Sequence, residues 1–90
     1  MKLIKITAIW CMSCILMNET LKKIEKENEK KYETIDYDFD NDAEEIKPFQ
    51  VGSILPVYIL VDVNGDELAR SIGEKNKKEL TEFFVSNGGL

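Results

Sequence analysis

Two cysteines, Cys11 and Cys14, stand two residues apart in the run Trp10-Cys11-Met12-Ser13-Cys14, and the 90-residue chain has no others. Thiols at this spacing can exchange with a disulfide, supply half of a zinc or iron–sulfur site, or pack in a core. A complete metal site needs four ligands. The chain offers no further cysteine and no histidine, so no metal is expected on it. The lack of histidine also excludes Ser-His-Asp and Cys-His catalysis. The position of the pair favours exchange chemistry. A β-branched, apolar run precedes it and a helical pattern follows, which puts Cys11 at a helix N-terminus. The free N–H groups there, with about half a unit of positive charge, favour a thiolate. Cys14 falls about one turn further on, beneath the first sulfur and better shielded. Cys11 is therefore the expected nucleophile on a substrate disulfide, exposed to solvent, and Cys14 the buried thiol that resolves the mixed disulfide. The competing reading is a non-catalytic binding module, or a carrier that shares a metal or iron–sulfur cluster.

The elements that must hold this pair follow from periodicity. Residues 2–9 are β-branched and apolar on both faces, which predicts a central strand. Residues 12–30 predict a helix, with Cys14, Met17, Leu21 and Ile24 on one stripe and a Glu19–Lys23 pair away from it. Residues 33–39 alternate, with Ile35, Tyr37 and Phe39 on one face and acids on the other, as in an edge strand. Asn41 or Asp42 is placed to cap a short helix, with Glu45 in the capping-box position. Pro48 and Gly52 limit that helix. An apolar strand over 57–62, an Asn64-Gly65 turn, a partner strand over 67–72 ended by Gly73, and a helix over 75–86 with Leu80, Phe83 and Phe84 inward complete the chain. The order β-α-β-α-β-β-α predicts one α/β domain over residues 1–90, a four-stranded mixed sheet with three helices on its faces. Tyr32, Tyr37 and Tyr58 read as ordinary sheet and surface aromatics.

Composition narrows the classes. At 43% hydrophobic and 32% charged the chain is too apolar to be disordered. Its net charge of −5 shows no basic stripe, and Arg70 is the lone arginine, so nucleic acid is not an expected partner. The first residues are too charged for a signal sequence, and the longest apolar run, Ile54 to Val61, contains Pro56 and is too short to span a bilayer. A cytoplasmic setting is expected, where thiols are kept reduced.

These residues carry a resemblance. Ala8-Ile9-Trp10-Cys11 running to Cys14, Ile54-Leu55-Pro56 before an apolar strand, Asn64-Gly65 and Gly73 together resemble the thioredoxin family over nearly the whole chain. The resemblance implies a minimal thioredoxin fold that lacks the family's usual first strand and helix. It implies a protein-disulfide reductase with a redox-active Cys11–Cys14 disulfide and no bound cofactor. Its partners would be disulfide-containing proteins and a thioredoxin-reductase-like flavoprotein, and it would act as a monomer. It further implies a cis Leu55–Pro56 bond facing the cysteines, with Trp10, Met12, Ser13, Leu55 and Pro56 shaping contact with substrate. Two departures stand out. Met12-Ser13 replaces the Gly-Pro of thioredoxins and the Pro-Tyr of glutaredoxins, a pair that tunes potential in the family. Glu19 stands where the family has a helix-kinking proline. Without a glutathione-binding signature, a dithiol reductase is favoured over a glutathione-dependent enzyme.

Lys5 is the one charge in the middle of the apolar first strand. The family places a buried Asp six residues before the first cysteine, which is this position, and a Lys on the neighbouring strand, which aligns with Asp36. The resemblance thus implies a charge-reversed pair. Asp36 would take the proton from Cys14, directly or through water, and Lys5 would hold Asp36 and favour the thiolate. The alternative is a Lys5 that reaches solvent and an Asp36 that is only an edge residue.

Overall fold

The computed structural model describes residues 1–90. Strand β1 (Lys2–Thr7) is followed by helix α1 (Met12–Glu27), strand β2 (Glu33–Asp38), a short helix α2 (Ala43–Ile46) that tightens into a 3-10 turn (Lys47–Phe49), strands β3 (Val57–Val61) and β4 (Glu67–Ile72), and helix α3 (Lys77–Ser86). The sheet order is β2-β1-β3-β4, with β1 parallel to β2 and antiparallel to β3, and β4 antiparallel to β3. The architecture is the expected α/β one, with β1 central and β2 at an edge.

The alternation of side chains along β1 and β3 divides the core into two layers. Ile4, Ile6, Val57 and Ile59 face α2, and both cysteines lie in that cluster. Leu3, Tyr58 and Leu60 face α1 and α3, where Met17, Leu21, Ile24, Leu80 and Phe84 cover them. The predicted α1 stripe of Cys14, Met17, Leu21 and Ile24 is the buried face of that helix. Burying each large apolar side chain contributes roughly 1.5–3 kcal/mol. Leu80 and Phe84, both fully buried, are therefore what docks α3.

Several boundaries differ from expectation for local reasons. Strand β1 stops at Thr7 rather than residue 9, because the Cys11 N–H turns back to the Ala8 carbonyl at 3.1 Å and makes a turn of Ile9-Trp10. Helix α1 ends at Glu27 rather than residue 30. Asn28 leaves the helical conformation, and both its backbone N–H and its side-chain amide donate to the Ile24 carbonyl at 3.0 Å. Glu19 pairs with Lys22 at 3.9 Å, not with Lys23. Asp42 does stand at the N-cap of α2, but its carboxylate accepts from the Asp38 backbone N–H at 2.7 Å and makes no capping bond. The capping box belongs instead to α3, which begins at residue 77: Asn76 accepts from the Glu79 N–H and Glu79 from the Asn76 N–H. Phe83 is half-buried. Tyr32 and Tyr58 are buried core residues rather than surface aromatics, because α1 and α3 close over that face of the sheet.

Candidate active site

Cys11 occupies the N-cap of α1 in an extended conformation, and its sulfur accepts from the Cys14 backbone N–H at 3.2 Å. A sulfur thus does what a Ser or Asp oxygen does at most helix starts: it takes up an N–H that the first turn leaves unpaired. Both cysteines are free and close to buried, Cys11 at 8% exposure and Cys14 at 4%. The expectation of an openly exposed Cys11 is corrected here. The turn at Ile9-Trp10 folds the N-cap inward, and the two thiols differ less in access than in bonding. The Cys14 thiol is pushed up to about 12, first by burial, then by the hydrogen bond and charge of Cys11, with the Ala8 backbone acting in the opposite direction. It holds its proton at neutral pH, so it needs a base, or the transient loss of its burial, to act as a nucleophile.

The Leu55–Pro56 peptide bond is cis. Leu55 and Val57 pack in the same core cluster as Cys11 and Cys14, so the loop and the thiols share one neighbourhood. The Gly73 N–H donates to the Pro56 carbonyl at 2.9 Å, which ties this loop to the end of β4. Gly73 has φ +87°, a conformation that favours glycine. No backbone hydrogen bond from within the chain engages Leu55. Met12 is exposed and Ser13 half-buried. Trp10 is 61% exposed, yet it is fixed: its indole N–H donates to the Asp40 carboxylate at 2.7 Å, and its ring meets Phe39 edge-on at 6.4 Å between centroids.

The structure brings Lys5 and Asp36 together. They are register partners across β1 and β2, and the Lys5 ammonium lies 3.4 Å from the Asp36 carboxylate. The same ammonium donates to the Asn18 side-chain oxygen at 2.7 Å and sits 5.9 Å from the centre of the Tyr58 ring. Lys5 is nearly buried, whereas the Asp36 side chain is 67% exposed. Lys5, Asn18, Asp36 and Cys14 line one cleft of about 300 Å³ that opens beside α1. The sequence assigns no site role to two members of this neighbourhood, Asn18 and Tyr58. Asn18 is a half-buried polar residue one turn after Cys14, beside the buried stripe of α1, and that placement is the available signal. The buried Tyr58 hydroxyl has no hydrogen-bond partner. Its phenol is raised by burial and, after that, by the nearby charges of Cys14, Asp36 and Glu25. Asp40, the partner of Trp10, is likewise set by tertiary contact alone. Arg70 stays away from the site, paired with Glu67 at 2.7 Å.

The thioredoxin family model matches residues 1–86. The chain belongs to the thioredoxin family. Solved structures of thioredoxins and thioredoxin-like proteins superpose on it closely. Trxlp from Edwardsiella tarda is 27% identical with a TM-score of 0.79, over 90% of this chain and 78% of that one. Thioredoxin-2, described as a component of the malaria parasite protein secretion machinery, is 25% identical with a TM-score of 0.77, over 94% of this chain and 82% of that one. The reduced thioredoxin pre-protein of Schistosoma mansoni, at 16% identity and a TM-score of 0.78, covers 94% of this chain and 76% of that one and shares the fold. No curated protein matches the sequence at a significant level. The thioredoxin fold and the two cysteines at the start of α1 support a thiol–disulfide oxidoreductase-like role.

Proposed function

We propose that this thioredoxin-family chain reduces protein disulfides in the cytoplasm through a Cys11–Cys14 dithiol. The observation that carries the reading is the asymmetry at the N-terminus of α1. Cys11 sits at the cap, where a developing thiolate meets an N–H donor, while Cys14 lies inside the first turn as a protonated thiol. In the first half-reaction the Cys11 thiolate attacks one sulfur of a substrate disulfide, a Cys11–substrate S–S bond forms, and the other substrate sulfur leaves and takes up a proton. In the second, Cys14 gives up its proton and attacks the Cys11 sulfur. The Cys11–Cys14 disulfide forms, and the second substrate thiol is released. The substrate is reduced by two electrons and the chain is oxidised by two. A thioredoxin-reductase-like flavoprotein is the proposed donor that restores the dithiol.

Leu55, with its backbone free of internal partners beside the cysteines, is the proposed strand-like docking point for an extended substrate segment. Trp10, Met12 and Ser13 frame the opening. The Cys14 proton is proposed to leave through the cleft to the Asp36 carboxylate, with Lys5 as the residue that positions it. The test is NADPH consumption in the presence of a thioredoxin reductase and a protein disulfide. Wild type is expected to turn over, and Cys11→Ser and Cys14→Ser are each expected to lose turnover. If wild type consumes no more NADPH than the reductase and substrate alone, the chain is a non-catalytic binding module instead.

A further inference from the structure

The surface around Cys11 is apolar and uncharged. From Ile6 to Asn18 the chain carries no ionisable group other than its two thiols. Ile9 at 86% exposure, Trp10, Met12, Ile15 and Leu16 stand out into solvent, and Ile54 on the Pro56 loop is exposed as well. An isolated exposed isoleucine needs no explanation, but side chains grouped about a reactive thiol mark a contact surface.

What this surface contacts is indicated by its flank. The segment from Thr34 to Ile46 contains six acidic residues and no Lys or Arg. It is physically joined to the apolar surface at two points. Asp36 and Asp38 form one wall of the cleft whose other wall includes Ile9 and Ile15, and Asp40 holds the Trp10 indole. The carboxylates of Asp38, Asp40 and Asp42 accept from neutral N–H donors, namely the backbone of residues 40 and 41, the indole, and the backbone of Asp38. None of these three forms an ion pair. The single cation in the cleft, Lys5, is nearly buried and already held by Asn18 and Asp36. At the opposite end of β1, Lys2, Lys30 and Lys31 line a separate groove together with Glu33 and Asp62, so cations and acids are mixed there. Asp38, Asp40 and Asp42 thus leave an unneutralised negative flank beside the reactive thiol.

We propose that the disulfide substrates of this chain present an extended segment in which apolar residues and Lys or Arg flank the target cysteine. The apolar side chains would cover Ile9, Trp10 and Ile15, and the cations would face Asp38 and its neighbours. This proposal rests on the disulfide-reductase reading and names its substrate class. Complementary charge acts mainly on encounter rate and on partner choice, and salt weakens it.

The test uses three synthetic peptides, each with one intramolecular disulfide and the same apolar residues, and with Lys, Gln or Glu beside the cysteines. The second-order rate of oxidation of the reduced full chain is followed by Trp10 fluorescence, at low salt and at about 0.5 M salt, where the Debye length is only a few ångströms. The Lys peptide is expected to react about tenfold or more faster than the Glu peptide at low salt, with the gap closing at high salt. In Asp38→Asn/Asp42→Asn, whose side-chain oxygens can still accept the local N–H bonds, the gap between the Lys and Glu peptides is expected to narrow. Equal rates for the Lys and Glu peptides overturn the proposal and leave the reductase reading intact, as does a gap that the double variant does not change. Failure of all three peptides to react overturns both.

Discussion

The Lys5 ammonium and the Asp36 carboxylate meet at 3.4 Å across the β1–β2 register, one nearly buried in the central strand and the other mostly in solvent. Their unequal burial decides what each can do. The exposed carboxylate gains little stability from the pair, since ion pairs with a solvated partner contribute about 0–1 kcal/mol. Lys5 has more at stake, because removing the partners of a buried charge costs more than removing the charge itself.

The two residues should therefore separate in stability and in chemistry. Lys5→Met, similar in length and unbranched, is expected to unfold in urea at or above the wild-type midpoint. Asn18→Leu leaves the ammonium short of its 2.7 Å acceptor and should lose about 1–3 kcal/mol. Asp36→Asn should fold normally yet slow resolution of the mixed disulfide by about 100-fold, as loss of a general base does, and flatten its pH dependence. Stopped-flow resolution rates across pH check this. An unchanged profile in Asp36→Asn removes the carboxylate from the proton path.

The cysteines should divide their labour according to their places on α1. Cys14→Ser is expected to accumulate a covalent Cys11–substrate disulfide, visible by mass as a one-to-one adduct that dithiothreitol releases. Cys11→Ser should form no such adduct at neutral pH, since the Cys14 thiol is buried and protonated. Adducts that form on Cys14 and not on Cys11 would reverse the assignment.

Stability should fall on the alkaline side. Cys14 is raised from the ordinary 9.0 to about 12 in the folded chain. Below pH 9 both states keep this proton and the full advantage of the folded state is present. As pH rises from about 9 towards 12 the unfolded chain gives the proton up and the folded chain does not, so the advantage is lost. Tyr32 and Tyr58, both raised above the ordinary 10.0 chiefly by burial, act in the same sense at higher pH. Urea midpoints of the reduced protein between pH 8 and 11 are expected to drop more steeply in wild type than in Cys14→Ala, by up to about 1.4 kcal/mol per pH unit. Parallel slopes would contradict the burial of this thiol.

Trp10 is the only tryptophan, so its emission reports one position. Asp40→Ala removes the acceptor of the 2.7 Å indole bond and is expected to cost about 0.5–1.5 kcal/mol. The ring would then be held by Phe39 alone. Lower fluorescence anisotropy of the folded protein is the expected signature. Unchanged anisotropy would mean that Phe39 suffices.

Spacing along the chain specifies the elements and the reactive pair. Periodicity of 2 and of 3.6 is local information, so the four strands, the buried stripe of α1 and the position of Cys11 and Cys14 at the first strand–helix junction were legible from spacing. The Lys5–Asp36 pairing came from the resemblance to the thioredoxin family and not from the strand pattern, and the β1–β2 register brings the two residues together. How the site is bonded and how wet it is depends on long-range packing. Asn18 holds Lys5, Asp40 holds Trp10, and Tyr58 lies buried beneath α1, because tertiary packing brings together residues 13 to 53 positions apart in the chain. The near-burial of Cys11 also escaped the sequence. Exposure depends on the fold of the Ile9-Trp10 turn and on the Pro56 loop packed against it, and no pattern within Trp10-Cys11-Met12-Ser13-Cys14 encodes the approach of a segment more than 40 residues away.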